Sequence, residues 1–143
     1  MSRKSYSMKE IVNKFDTNVD LCDMFALNLF SEDIEFLKIP VWDEKIMPGK
    51  YLDDNDLVNI KYYLSMIYDI EPNKSLIAEA CYILAKKKSY HPVKRFIEKE
   101  PWDNVHRLDE WLIRSVGCED NYYTRQASSK FIIAAVNRVY NPG

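Results

Sequence analysis

The sequence predicts a mainly α-helical fold of five to six helices with one small two-stranded β-hairpin near the N-terminus. Three observations lead there. Apolar residues recur at three- and four-residue spacing through most of the chain beyond residue 53. Two short apolar runs, 25–30 and 34–39, are joined by three polar residues. With only 3 Gly and 6 Pro in 143 residues, there is little material for glycine-rich loops or low-complexity segments.

A chain of 143 residues makes one domain, or one domain with a small appendage. It can bury roughly two thirds of its unfolded surface without disulfide staples. Apolar residues at 47%, with 10 Tyr, 6 Phe and 3 Trp, exclude a disordered chain. The net charge of −2 excludes attraction to a polyanion by overall charge alone. The charge is nevertheless uneven. Residues 1–60 hold 7 basic against 12 acidic side chains, and residues 61–143 hold 13 against 10. The basic half is therefore the one to face a polyanion. Cys22, Cys81 and Cys118 are odd in number, with no CxxC pair and no signal peptide. They read as small buried hydrophobes of a reduced, cytoplasmic protein, and no zinc site is expected. No apolar run approaches the roughly 18 residues of a membrane span.

The elements follow in order. Met1–Tyr6 is a polar arm. Ser7 and Glu10 form a capping box for a short helix with the stripe Met8, Ile11, Val12 and Phe15. In the hairpin, alternation puts Phe25, Leu27 and Leu29 on one face, and Pro40 ends the second strand. Residues 43–52, with Pro48-Gly49, are a loop. Asp53 or Asp54 caps a helix carrying Leu57, Ile60, Leu64 and Ile67. Ser75 caps the next, with Leu76, Ile77, Ala80, Cys81 and Leu84 inward and Lys86-Lys87-Lys88 complementing the dipole of its last turn. His91-Pro92 opens a short helix with the stripe Val93, Phe96 and Ile97. A further helix holds Leu108, Trp111, Leu112 and Val116 and stops at Gly117. The last spans about 120–140, with Tyr123, Ala127, Phe131, Ala134, Ala135 and Arg138 on related faces. In texture, residues 1–50 form an arm, helix and hairpin, and residues 51–143 a helical region.

No phosphate loop, GxGxxG turn, HExxH or GxSxG is present. The two histidines, His91 and His106, read as capping or surface groups. Asp109 and Glu110 read as caps and first-turn charges. No nucleophile, base and orienter can be assembled, so no catalytic, cofactor-binding or metal residue is expected.

From Tyr90 the texture becomes specific. The chain reads His91-Pro92-Val93, then Trp102-Asp103-Asn104-Val105-His106-Arg107-Leu108, then Gly117-Cys-Glu-Asp120 with Tyr123-Thr124. It ends Ala135-Val-Asn-Arg138-Val-Tyr-Asn-Pro-Gly143. This segment is similar to the virulence-associated protein E family of phages, prophages and genomic islands. That family shows His-Pro-Val, Trp-Asp-Gly-x-x-Arg-Leu, Gly-x-Glu-Asp with Tyr-Thr, and Ala-Val-x-Arg-x-Tyr-x-Pro-Gly. Asn104 stands where Gly is usual, and His106 where Pro is common. The resemblance implies a region preceding the Walker A motif of a P-loop ATPase, a superfamily III-like replicative helicase of a mobile element. ATP and magnesium then belong only to a longer parent, and the non-catalytic portion positions DNA or a neighbouring subunit. The implied partners are DNA, bound weakly and without sequence preference, and a C-terminal ATPase domain of the same polypeptide through which homo-oligomers form. The implied setting is the cytoplasm of a bacterium carrying such an element. The alternative is a stand-alone helical interaction module.

Lys86, Lys87, Lys88, Lys94, Arg95 and Lys99 place six cations within fourteen residues, against one acid, Glu98. They are the candidate phosphate contacts. Among the motif residues, His91, Pro92, Trp102, Asp103, Arg107, Tyr123 and Arg138 are expected to be structural. Trp102 and Trp111 are expected in the core, and Arg138 to brace its helix against the ATPase core through an ion pair. Circular dichroism should report more than about a quarter helix, because residues 53–140 alone should exceed that fraction; a smaller fraction overturns the fold assignment.

Overall fold

The computed structural model describes residues 6–142. They form five α-helices, one π-helical turn and two strands. In order these are α1 (Met8–Thr17), β1 (Phe25–Asn28), β2 (Asp33–Phe36), α2 (Asp54–Tyr68), α3 (Lys74–Lys87), α4 (Pro92–Lys99), the π-helical turn (Leu112–Val116) and α5 (Tyr122–Tyr140). The fold is mainly helical with one antiparallel hairpin, as the periodicity predicts. No described helix is long and apolar enough to cross a membrane. The chain divides into two compact units, Met1–Pro92 and Val93–Gly143. Most of the polar arm expected over Met1–Tyr6 lies outside the described residues; Tyr6 packs against the core of the first unit.

The first unit is built around the hairpin. Helix α1 starts where expected: the Ser7 hydroxyl accepts from the Glu10 N–H, and the Glu10 carboxylate accepts from the Ser7 N–H. Ile11 and Phe15 are fully buried, with Met8 and Val12 beside them. In α2, Asp53 is the N-cap, and Asp56 reaches back to the Asp53 N–H to complete a capping box. Lys50 sits 2.5 Å from the buried Asp56 carboxylate, so that charge is paired. Leu57, Ile60 and Leu64 are buried as expected, but Ile67 is exposed because α2 runs past the core at its last turn. Asn73 caps α3, not Ser75; its side chain accepts from the Leu76 N–H, while Ser75 donates to Glu79 inside the helix. Ile77, Ala80, Cys81 and Ala85 form the buried face of α3.

The hairpin departs from simple alternation. Every residue of β1 is buried, while Leu29 and Phe30 lie beyond the strand and are exposed. The ladder pairs Phe25 with Phe36, Ala26 with Glu35, Leu27 with Ile34 and Asn28 with Asp33. The second strand ends at Phe36, short of Pro40. Both outer edges are covered. Tyr90 donates its N–H to the Leu27 carbonyl and accepts from the Leu29 N–H. On the other edge Phe36 N–H donates to the Lys50 carbonyl and Leu52 N–H to the Ile34 carbonyl. Two inward polar groups, Asn28 and Glu35, satisfy each other at 2.7 Å, and the Tyr90 hydroxyl donates to the second Glu35 oxygen. Because Tyr90 is bonded to β1, the hairpin shares a unit with α2 and α3 and the division falls after Pro92, where the sequence texture changes at 50.

The second unit contains α4, the π-helical turn and α5. The helix expected over 108–116 is reduced to a five-residue π-helical turn. Gly117 stops it as expected, at φ +78°, with its own N–H donating to the Ile113 carbonyl and the Cys118 N–H to the Leu112 carbonyl. Among the described residues of this unit no apolar side chain is buried. Phe96 of the α4 stripe and Tyr123, Phe131, Ala134 and Ala135 of α5 are exposed, and the buried positions of α5 are Thr124 and Ser128. A single π-helical turn is too short to cover a 19-residue helix.

Stability should follow this division. Leu64→Ala removes a fully buried side chain of the first unit and should cost about 2–5 kcal/mol in urea unfolding. Val58→Ala, on the exposed face of the same helix, should stay within about 0.5 kcal/mol.

Candidate nucleic-acid interface

The six candidate cations divide between the units. Lys86, Lys87 and Lys88 close the C-terminal end of α3 in the first unit, where they meet the negative end of its dipole, and all three are exposed. Lys87 lies 2.6 Å from Asp16 at the end of α1, and Lys88 lies 2.7 Å from Asp23. Lys94, Arg95 and Lys99 lie on α4 in the second unit. Arg95 and Lys99 are exposed, whereas Lys94 is half-buried with its ammonium 5.2 Å from the centre of the Tyr140 ring. The Tyr140 hydroxyl donates to Glu98, which holds the phenol's pKa above its usual value.

The motif residues of the second unit converge on one turn. The Asp103 carboxylate accepts two hydrogen bonds from the Arg107 guanidinium, at 3.0 and 2.6 Å, and a third from the Val105 N–H. The Arg107 pair, followed by the Val105 N–H, draws the Asp103 pKa down to about 2. Asn104, inside this clamp, has φ +63°. Glycine enters that left-handed region without strain and asparagine is among the few side chains that tolerate it. The departure from the Gly of the Trp-Asp-Gly pattern therefore keeps the conformation. Trp102 is 64% exposed, contrary to its expected core position. Its ring meets His106 edge-on at 5.4 Å, and a groove of about 470 Å³ runs past Trp102, His106, Leu108 and Trp111. Trp111 is half-buried against Phe131, and its indole N–H donates to the Ser128 carbonyl.

A second polar assembly was not legible in the sequence. Arg125 of α5 meets Asp120 at 2.7 Å, Asp109 at 2.8 Å and Glu110 at 3.6 Å, and Glu110 also pairs with Arg114. Its hydrogen bonds to Asp120 and then Asp109 push its pKa further up and hold both carboxylates below their usual range. Asp109 and Glu110 thus serve as partners of Arg125 and not as helix caps. The Asn121 side chain caps α5 by accepting from the Thr124 N–H. The spacing of 16 residues between Asp109 and Arg125 carries no signal readable without the tertiary fold.

Of the remaining motif residues, Pro92 occupies the first position of α4, and His91 precedes it with its ring 5.9 Å from that of Phe30. Tyr123 is exposed. Arg138 is exposed in the last turn of α5 and forms no ion pair with a described residue. The three cysteines are free thiols; Cys81 is buried, which pushes its pKa up, and Cys22 and Cys118 are half-buried. Among the described residues no three His, Cys, Asp or Glu side chains are grouped to hold a metal ion.

Residues 97–143, about a third of the chain, match the family model of the virulence-associated protein E-like domain. The match supports the virulence-associated protein E family and includes both the Asp103–Arg107 turn and α5. No curated protein matches the chain.

The Asp103–Arg107 pair should be visible by titration. Its folded pKa lies below the ordinary value of 3.8, so the pair supports the turn fully above that value and is lost as pH falls through about 2. Carboxyl-carbon NMR should show this midpoint, and Arg107→Ala should raise it toward 3.8. An unchanged midpoint in the variant would contradict the pairing.

Proposed function

We propose, on the premise that residues 97–143 are a virulence-associated protein E-like domain, that this chain is a non-catalytic portion of a helicase-type ATPase of that family. In this reading it positions DNA, or a neighbouring subunit, during replication of a mobile element. ATP and magnesium are handled by a P-loop domain of the parent protein. The observation that carries the reading is the family match over the turn and α5, the two parts of the second unit with a defined local geometry.

DNA contact falls to the basic side chains at the end of α3 and on α4, each acting from its own unit. Arg95, Lys99 and Lys86 are exposed, and cations so placed on helices bind phosphate oxygens without reading bases. The apolar side chains exposed on α5, Phe131 and Ile133 among them, are read as surface for the ATPase domain of the same polypeptide. The same exposed side chains favour a second reading, a stand-alone helical module that binds a protein partner without acting on DNA.

Salt-dependent titration separates the two. Non-specific binding to labelled oligonucleotides should be weak, with Kd on the order of tens to hundreds of micromolar at low salt, and should fall steeply as salt rises. Lys86→Ala/Arg95→Ala/Lys99→Ala should flatten the salt slope by up to about three. The change should leave the helix content intact, because all three side chains are exposed. No binding at low salt, or binding indifferent to the triple change, favours the protein-interaction module.

A further inference from the structure

The three lysines that end α3 are not equally available. Lys87 and Lys88 each face an acid from another element of the first unit, and Lys86 forms no ion pair with a described residue. Asp16 stands in the last turn of α1, with its carboxylate 2.6 Å from the Lys87 ammonium. Asp23 immediately precedes Met24 and β1, with φ +58°, and lies 2.7 Å from Lys88. The hydrogen bond from Lys88 holds the Asp23 carboxyl below the usual carboxylate range, and the charge of Lys38 adds to the effect. Asp23 is thus ionised at neutral pH.

The two pairs flank one recess, walled by apolar side chains such as Leu84 and Met24. All four charged side chains line it. A phosphate group approaching either ammonium meets the carboxylate already paired with it, and the two anions repel each other. The phosphate gains the full charge of Lys87 or Lys88 by taking the place of Asp16 or Asp23. All four side chains are about half exposed or more, so the pairs are weak and can be displaced. A carboxylate and a phosphate oxygen offer the ammonium the same acceptor, which makes the exchange one of like for like.

We infer that Asp16 and Asp23 form an autoinhibitory contact, occupying Lys87 and Lys88 in place of nucleic-acid phosphate and keeping the first unit in a low-affinity state. The inference rests on the phosphate-contact reading above and adds its regulation. Any event that draws α1 or the segment before β1 away from α3 frees two cations beside Lys86. The acidic surplus of residues 1–60 then has a local function and does more than lower the net charge.

Four proteins test it against a labelled single-stranded oligonucleotide at two salt concentrations: wild type, Asp16→Asn/Asp23→Asn, the same with Lys87→Ala/Lys88→Ala added, and Glu44→Gln/Glu71→Gln. The last removes two exposed acids that pair with no described residue, and so reports the effect of net charge alone. The Asp double variant should bind about three- to tenfold more tightly than wild type at low salt and steepen the salt slope by up to about two. Adding the Lys changes should cancel the gain. A gain no larger than that of the Glu variant, or one that survives loss of the lysines, overturns the inference while leaving DNA binding in place. Binding by no variant overturns both. The single changes Asp16→Asn and Asp23→Asn, each expected to give part of the gain, keep the test decisive should the double variant unfold.

Discussion

A two-stranded hairpin cannot be buried unless its outer backbone groups find partners, and the first unit is organised by that constraint. Each strand of an isolated pair leaves one row of N–H and C=O groups unbonded. Here the residues after Gly49 bond to β2 and Tyr90 bonds to β1. The hairpin thereby becomes the centre of four pieces of backbone, and all four residues of β1 can be buried. The same segments bring the side chains that resolve the buried polar pair. The buried Glu35 would be costly without hydrogen-bond donors, and Asn28 and Tyr90 supply them. Helices α1, α2 and α3 then cover the hairpin with Phe15, Ile60, Leu64 and Ile77, each fully buried.

The second unit is held differently. With no apolar side chain buried, its order comes from caps, the Gly117 closure and paired charges. Asp103 and Arg107 pin one turn, and Arg125 gathers Asp109, Glu110 and Asp120 onto α5. Exposed ion pairs contribute little each, so such a unit is geometrically defined more than strongly stabilised. Its uncovered aromatic side chains, Trp102, Tyr123 and Phe131, form the kind of surface that proteins use to meet other proteins.

Charge in the chain is therefore patterned at two scales. Over long segments it is acidic first and basic later. At short range the acids of the first segment are placed against individual lysines, as with Asp16, Asp23 and Asp56. Only the first scale can be counted along the chain. The availability of a given lysine to phosphate is set by the second.

The sequence by itself determined the helical class, the hairpin's position, the Ser7 cap, a cap at Asp53 or Asp54, the stop at Gly117 and the α4 start at Pro92. Each depends on neighbours within a few residues, whose effects on backbone geometry are local. It also carried the family pattern from His91 to Pro142, in which the Asp103–Arg107 clamp explains why the turn needs a residue tolerant of positive φ. Tertiary structure decided which stripes were covered. Ile67, Phe96 and Phe131 have the spacing of core residues, yet helical periodicity marks only a face and cannot say whether another element lies over it. Nor could spacing reveal that Asp109 and Glu110 serve Arg125, or that Lys87 and Lys88 answer to Asp16 and Asp23. Ion pairs between residues far apart in the chain form where the packed elements bring the charges together, and the order of residues does not encode that distance directly.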